Sequence, residues 1–253
     1  MSAVTYEKYH DCVILRINRE HKRNAVNEEV IDKLNTFITK AAEDEEAAVV
    51  VITGSGAKAF CSGGDLEVFG SLYTADEAYP VLKKMSEVLL KLFFFSKPTV
   101  AMINGHAVGG GSEIASACDF RFAVPEAKLG FIQGRLGITT GWGGSSFLFQ
   151  QFGRRSLPLL TSAKVYRAQE LESIGFIDKV FKTSGEDLMT QVVNELHTNF
   201  IMDRPVLEAY KRRKLDQINR KQLEANVERE VTDCAVLWER EEHHQAVENF
   251  FNK

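Results

Sequence analysis

Residues 47–54, AAVVVITG, restrict the fold more than any other stretch of this chain. Valine and isoleucine favour extended backbone, and no polar side chain interrupts the run before Thr53. Such a strand is apolar enough to be buried on both faces, so it needs cover above and below. The preceding segment offers one cover. Val26, Val30, Ile31, Leu34, Phe37, Ile38 and Ala41 recur at helical spacing and form a single apolar stripe. Residues 12–17 read as an earlier strand. A helix over 75–94 is expected to end ahead of Pro98, with a strand over 98–103, a small-residue helix over 112–118, a strand over 120–124 and a short one over 177–181. From Ser145 onward the rest is chiefly helical. Strands alternating with helices, followed by a helical tail, predict the α/β class, with a core over 1–187 and a helical C-terminal region over 188–253.

Composition narrows the function more than the fold. A length of 253 residues accommodates one large α/β domain with a small appendage. The longest apolar run, 88–95, is broken by Lys91 and falls well short of the roughly 20 apolar residues of a membrane span. The N-terminus lacks a basic start followed by an apolar core and a small-residue cleavage site, so a cytoplasmic location is expected. Cys12, Cys61, Cys118 and Cys234 form no C-x-x-C pair, which argues against a zinc site or a disulfide framework. A net charge of −4 gives no global field for a polyanion. The basic stretch KRRKLDQINRK, 211–221, reads as a solvated helix face, with RNA binding as the lesser alternative.

Two glycine-rich segments carry the chemical interest: AFCSGGDL, 59–66, and GHAVGGGSE, 105–113. Glycine lets backbone N–H groups converge on an oxygen, although either segment alone reads as a tight turn. Gly54, Gly56 and Ala59 also have the spacing of a dinucleotide fingerprint, but a Cys-Ser-Gly-Gly turn interrupts the place where its helix belongs. Glu113 lies in a predicted helix of Ala, Ser and Ile. A buried carboxyl must be paired or neutral, and the plainer alternative is an acid that satisfies the N–H groups of its own helix.

In order, NREHKRNAV, AFCSGGDL, INGHAVGGGSEIASACDFRFA, LGITTGWGG and AVENFFNK resemble the enoyl-CoA hydratase/isomerase family, the crotonase superfamily, from near residue 13 to the C-terminus. The resemblance implies a crotonase spiral of ββα units, with C-terminal helices that build a homotrimer, often paired into a hexamer. It implies an acyl-CoA thioester substrate, no separate cofactor, no metal, and neither a nucleic-acid nor a membrane partner. The N–H groups of Gly64 and Gly110 would form an oxyanion hole for the thioester enolate, and Glu113 would be one of the two glutamates that hydratases use. Gln133 stands where the second belongs, and glutamine cannot exchange a proton near neutral pH. For the CoA moiety the family pattern points to Lys22, Arg23 and Ala25, to Cys61, Ser62, Gly63 and Asp65, and to Phe250 with Lys253 from a neighbouring subunit. Asp65 itself reads as a structural turn acid, and His106 as a pocket wall. The expected reaction is 2-enoyl-CoA hydration or double-bond isomerisation. CDFRFAVPEAKL together with GITTGWGG also looks like decarboxylases of ethylmalonyl-CoA or methylmalonyl-CoA, in which Arg135 would receive the substrate carboxylate. A silent acyl-CoA binder is the reading from another class.

Overall fold

The computed structural model describes residues 2–181, 188–200 and 202–251, without the side chains of Leu66, Phe250 and Phe251. Its strands are β1 (Val4–Tyr9), β2 (Cys12–Ile17), β3 (Val49–Gly54), β4 (Ala59–Cys61), β5 (Thr99–Ile103), β6 (His106–Val108), β7 (Phe120–Ala123), β8 (Lys128–Gly130), β9 (Tyr166–Arg167) and β10 (Lys179–Val180). The helices of the core are α1 (Glu28–Glu43), α2 (Leu66–Phe69), α3 (Ala75–Phe93), α4 (Gly110–Ala117), α5 (Gly144–Phe152), α6 (Ser156–Ser162) and α7 (Ala168–Ser173). Those of the C-terminal part are α8 (Leu188–Asn199), α9 (Arg204–Asp216), α10 (Arg220–Trp238) and α11 (Glu241–Phe251).

The strand read as buried on both faces is central. β3 is buried throughout and lies between β2 and β5 in a sheet ordered β1-β2-β3-β5-β7-β10. All its pairings are parallel except β1 with β2. β1 has no counterpart among the predicted strands. A second sheet, β4-β6-β8-β9, is built of strands only two or three residues long, too short for a hydrophobic period to reveal.

Helix α1 buries Val30, Ile31, Leu34, Ile38 and Ala41 as its spacing predicts. It starts two residues later than the stripe, because the side chain of Asn27 accepts the N–H of Val30 as an N-cap. Val26 instead forms a parallel bridge with Gly64. Helix α3 opens with a reciprocal capping box between Thr74 and Glu77 and closes at Phe93. The predicted strand over 177–181 contracts to β10, paired with β7. Beyond β3 the chain passes through a turn into strand β4, not into a helix, which removes the dinucleotide reading of Gly54, Gly56 and Ala59.

Two buried clusters flank the large sheet. One joins the apolar side chains of α1, α3, α4, α5 and α10, and the other joins the opposite sheet face to Met189, Val192, Val193 and Leu196 of α8 and to Leu207 of α9. Full burial of one such aliphatic side chain contributes about 1.5–3 kcal/mol, so the C-terminal helices are integral to the core. Among the described residues no helix is long and apolar enough to cross a membrane.

Candidate active site

Strands β4 and β6 run parallel, so the chain leaves both at the same edge of the small sheet, where ligands of open α/β sheets bind. Ser62, Gly63 and Gly64 follow β4; Gly109 and Gly110 follow β6. Gly63 lies so near the second segment that a side chain on it would come within 3.3 Å of the Gly110 nitrogen. The bridge to Val26 uses the Gly63 carbonyl and the Asp65 N–H, which turns the Gly64 N–H to the opposite side. Gly109 (φ 55°, ψ −119°) caps α4 in a backbone conformation open to glycine, and Gly110 is the first residue of the helix, where an N–H has no partner in its own helix. Rings press on both glycines. A Cβ at Gly110 would lie 2.0 Å from the Trp142 indole, and one at Gly64 would lie 2.8 Å from the Phe69 ring.

One turn into α4, Glu113 is buried, and its carboxylate turns away from its own helix. It accepts the N–H of Trp142 at 2.8 Å and of Gly144 at 3.0 Å on Oε2, and the N–H of Gly141 at 3.4 Å on Oε1. The self-capping alternative therefore fails: this acid receives the amides that open the next helix, α5. The Nε2 of Gln133 donates to Oε1 at 2.8 Å, so the two residues expected to share the chemistry are in contact. The Oε1 of Gln133 is buried and has no hydrogen-bond partner among the described residues. Burial, with the nearby Glu230 carboxylate, pushes the Glu113 carboxyl up to about 8 against the pull of its three backbone donors. Such a group can both hold and release a proton near neutral pH.

The expected CoA-contacting residues of the first two segments form one continuous surface. The Ser62 N–H donates to the Arg23 carbonyl, the Val26 N–H to the Gly63 carbonyl, and the buried Asn24 side chain to the carbonyls of Ser55 and Ala59. Ala25 is buried and its carbonyl accepts from Arg19; the Lys22 ammonium lies on Glu67. Cys61 is buried in β4, and only its backbone borders the site. Asp65 is held as a structural turn acid, paired with Arg19 at 2.7 Å and accepting the Glu67 N–H. Phe250 falls in α11, its side chain outside what is described, and Lys253 lies outside the described residues.

Other sequence candidates stand apart. Arg135 is exposed, and its Nε donates to the Ala163 carbonyl at 2.7 Å. His106 faces solvent. In the basic stretch, Lys211 and Lys214 are bound to Asp119 and Arg220 to Glu224, while Arg212, Arg213 and Lys221 are exposed to solvent. Among the described residues no group of three or more His, Cys, Asp or Glu side chains is placed to hold a metal ion. Three site features had no mark of their own in the sequence: the amides of 141–144 that clamp Glu113, the ring of Trp142, and Glu230. The motif GITTGWGG located the first two without showing which groups matter, whereas Glu230 lies in a charged helix where one more acid carries no signal.

Known proteins share this architecture. A family model described as enoyl-CoA hydratase/isomerase matches residues 7–253. The crotonyl-CoA hydratase of Syntrophomonas wolfei is 35% identical over 190 residues, covering 75% of this chain and 72% of that protein. The ethylmalonyl-CoA decarboxylase of Pongo abelii is 30% identical over 201 residues, 79% of this chain and 66% of that protein. Among solved structures, an enoyl-CoA hydratase from Bacillus halodurans superposes with a TM-score of 0.87 at 25% identity, across 98% of this chain and 100% of the other.

Proposed function

The chain belongs to the enoyl-CoA hydratase/isomerase family, and on that footing we propose that it adds water to a 2-enoyl-CoA thioester, with Glu113 as its proton-exchanging group and Gln133 as the residue that orients the water. The observation that carries this reading is the Glu113 carboxyl itself. It is buried, its hydrogen bonds come from backbone amides and from Gln133, and it lies one helical turn from the Gly110 N–H.

In the proposed reaction the thioester oxygen lies against the N–H groups of Gly64 and Gly110. Charge grows on that oxygen as water attacks C3, and two fixed donors at a helix N-terminus stabilise it; losing one such donor typically costs about 3 kcal/mol. Ionised Glu113 takes a proton from the water as its hydroxyl bonds to C3. The resulting enolate then takes that proton back from Glu113 at C2, so one water is consumed and the carboxylate is regenerated. The unpartnered Oε1 of Gln133 supplies an acceptor for the water, while its Nε2 holds Glu113. Isomerisation of a 3-enoyl ester would use the same carboxylate to move a proton between C2 and C4.

For the CoA moiety the same reading uses Lys22, Arg23, Ala25 and the backbone of 61–65, with Phe250 and Lys253 contributed by a neighbouring subunit. Assembly as a trimer or hexamer accords with exposed Phe149 and Leu157 on α5 and α6, and the location proposed is the cytoplasm. Decarboxylation of a malonyl-type ester is the second reading, favoured by the Pongo abelii relative and by the absence of a second carboxylate at position 133. The exposed position of Arg135 counts against it. Crotonyl-CoA, a 3-enoyl-CoA, methylmalonyl-CoA and ethylmalonyl-CoA assayed side by side separate these readings. Hydration of crotonyl-CoA that Glu113→Gln abolishes is the expected result; turnover of a malonyl-type ester alone would transfer the proposal to decarboxylation.

A further inference from the structure

The amides that clamp Glu113 are themselves held from the other side. Glu230, on α10, is buried and accepts four hydrogen bonds at the N-terminus of α5: from the N–H of Ser145 at 3.2 Å, its hydroxyl at 2.6 Å, the N–H of Ser146 at 2.9 Å and its hydroxyl at 2.7 Å. Residues 141–146 therefore lie between two carboxylates, Glu113 on the inside and Glu230 toward a surface recess of about 250 Å³. One acid would suffice to oppose the dipole of a nine-residue helix. The second has a different consequence, because it faces the first across a single turn of backbone.

We infer that Glu230 is a positioning residue for the reaction at Glu113: held by the backbone and hydroxyls of Ser145 and Ser146, it fixes from the outer side the turn whose amides hold the Glu113 carboxylate. This inference rests on the proposed role of Glu113. The surroundings leave Glu230 as the charge that matters. α5 brings no ionisable side chain. On α3, Lys83 is taken by Glu228 and Lys84 by Asp32. Arg229 and Asp233, beside Glu230 on α10, rim the outer recess and offset one another in sign. Cys61 and Cys234 are buried thiols whose titration burial pushes up, His106 of β6 is exposed, and His243 of α11 turns to the Leu136 carbonyl. Like charge near a buried carboxyl disfavours its ionised form, in the same direction as burial. A carboxyl titrating near the working pH suits a group that must both accept a proton from water and return it.

The test is Glu230→Gln, which keeps an acceptor for the serines and removes the charge. Two readouts apply: the pH dependence of crotonyl-CoA hydration, and a substrate-free infrared titration of the Glu113 carboxyl, identified by its loss in Glu113→Gln. The expected result is a midpoint lower by about one pH unit in both, with KM nearly unchanged and a reduced plateau in kcat. Glu230→Asp withdraws the charge by one methylene and should move the midpoint the same way by less, which covers the case in which the first variant does not fold. An unmoved infrared midpoint in a folded variant overturns the inference, whatever the enzyme turns over. Wild-type protein inert toward crotonyl-CoA would instead sink the functional reading and leave the titration result standing.

Discussion

Glu113 lies in the first turn of α4 and Asp119 just past its C-terminal end; both carboxyl groups are buried, and the chain treats them in opposite ways. Burial alone would push Asp119 up, but the ammonium groups of Lys211 and Lys214 outweigh it, and its carboxyl titrates below the usual value. Thr99 adds its N–H and hydroxyl at 2.9 and 3.0 Å. Among the described residues Glu113 receives hydrogen bonds from dipoles alone, three backbone amides and a glutamine, and a second carboxylate stands nearby; its titration goes up. Cations turn a buried acid into a fastener, here one that ties α9 to the core. Dipoles alone keep an acid in place while leaving its proton exchangeable. The catalytic candidate is thus distinguished by what it lacks, and the two sites invite opposite experiments.

The largest effect expected is on activity. Glu113→Gln preserves shape and removes proton exchange, so crotonyl-CoA hydration should fall about 10²- to 10⁴-fold with little change in CoA affinity, measured by steady-state kinetics and calorimetry. At Asp119 the loss should appear in stability instead. Lys211→Met leaves a buried carboxylate short of one partner, and chemical denaturation should report a loss of about 3–5 kcal/mol, with the pH profile of activity unmoved. A shifted profile in that variant would erase the contrast between the two acids.

Gln133→Glu sharpens the comparison by giving Glu113 a carboxyl neighbour in place of an amide. At the present 2.8 Å contact the pair must share one proton, which supplies the second acid of a two-carboxylate hydratase. Hydration should rise at least about tenfold, a gain of roughly 1.4 kcal/mol. Unchanged hydration would mean that Gln133 already does all that the site requires.

A smaller effect concerns stability against pH. Because the folded Glu113 carboxyl titrates above its ordinary value of 4.5, the folded state binds the proton more tightly than the unfolded one. Its stabilising contribution is complete below that value and is lost as pH rises through the folded midpoint, near 8. Thermal melts of wild type should therefore decline more steeply between those limits than melts of Glu113→Gln. Asp119 has the reverse sign: its contribution is present above the ordinary carboxylate value of 3.8 and disappears as pH falls through the lowered one.

The same contrast explains what could be read from the sequence. The helices α1 and α3 and the strands β2, β3, β5 and β7 were legible because long periodic or continuously apolar segments declare themselves. The starts and ends that moved did so for local reasons, such as the Asn27 cap that excludes Val26 from α1. The small sheet was not legible, since strands of two or three residues carry no period, although it is the sheet that brings Gly64 and Gly110 to one edge. Glu113 stood out as an acid among small residues. Its partners did not: backbone amides of 141–144 have no side-chain signature, and Glu230 lies 117 positions along the chain from the group it faces. The lysines of 211–214 were readable as charge but not as partners of Asp119, because pairing across that distance depends on tertiary packing alone.

The account turns on a Glu113 carboxyl whose titration is raised from the ordinary carboxylate range, so that it exchanges its proton near neutral pH, and infrared difference titration of the substrate-free protein against Glu113→Gln measures this directly. The account predicts a protonated-carboxyl band that persists at pH 7 and disappears with a midpoint near 8, absent from the variant. Ionisation of that carboxyl near the ordinary 4.5 would contradict it, and would place Glu113 beside Asp119 as a second fastener.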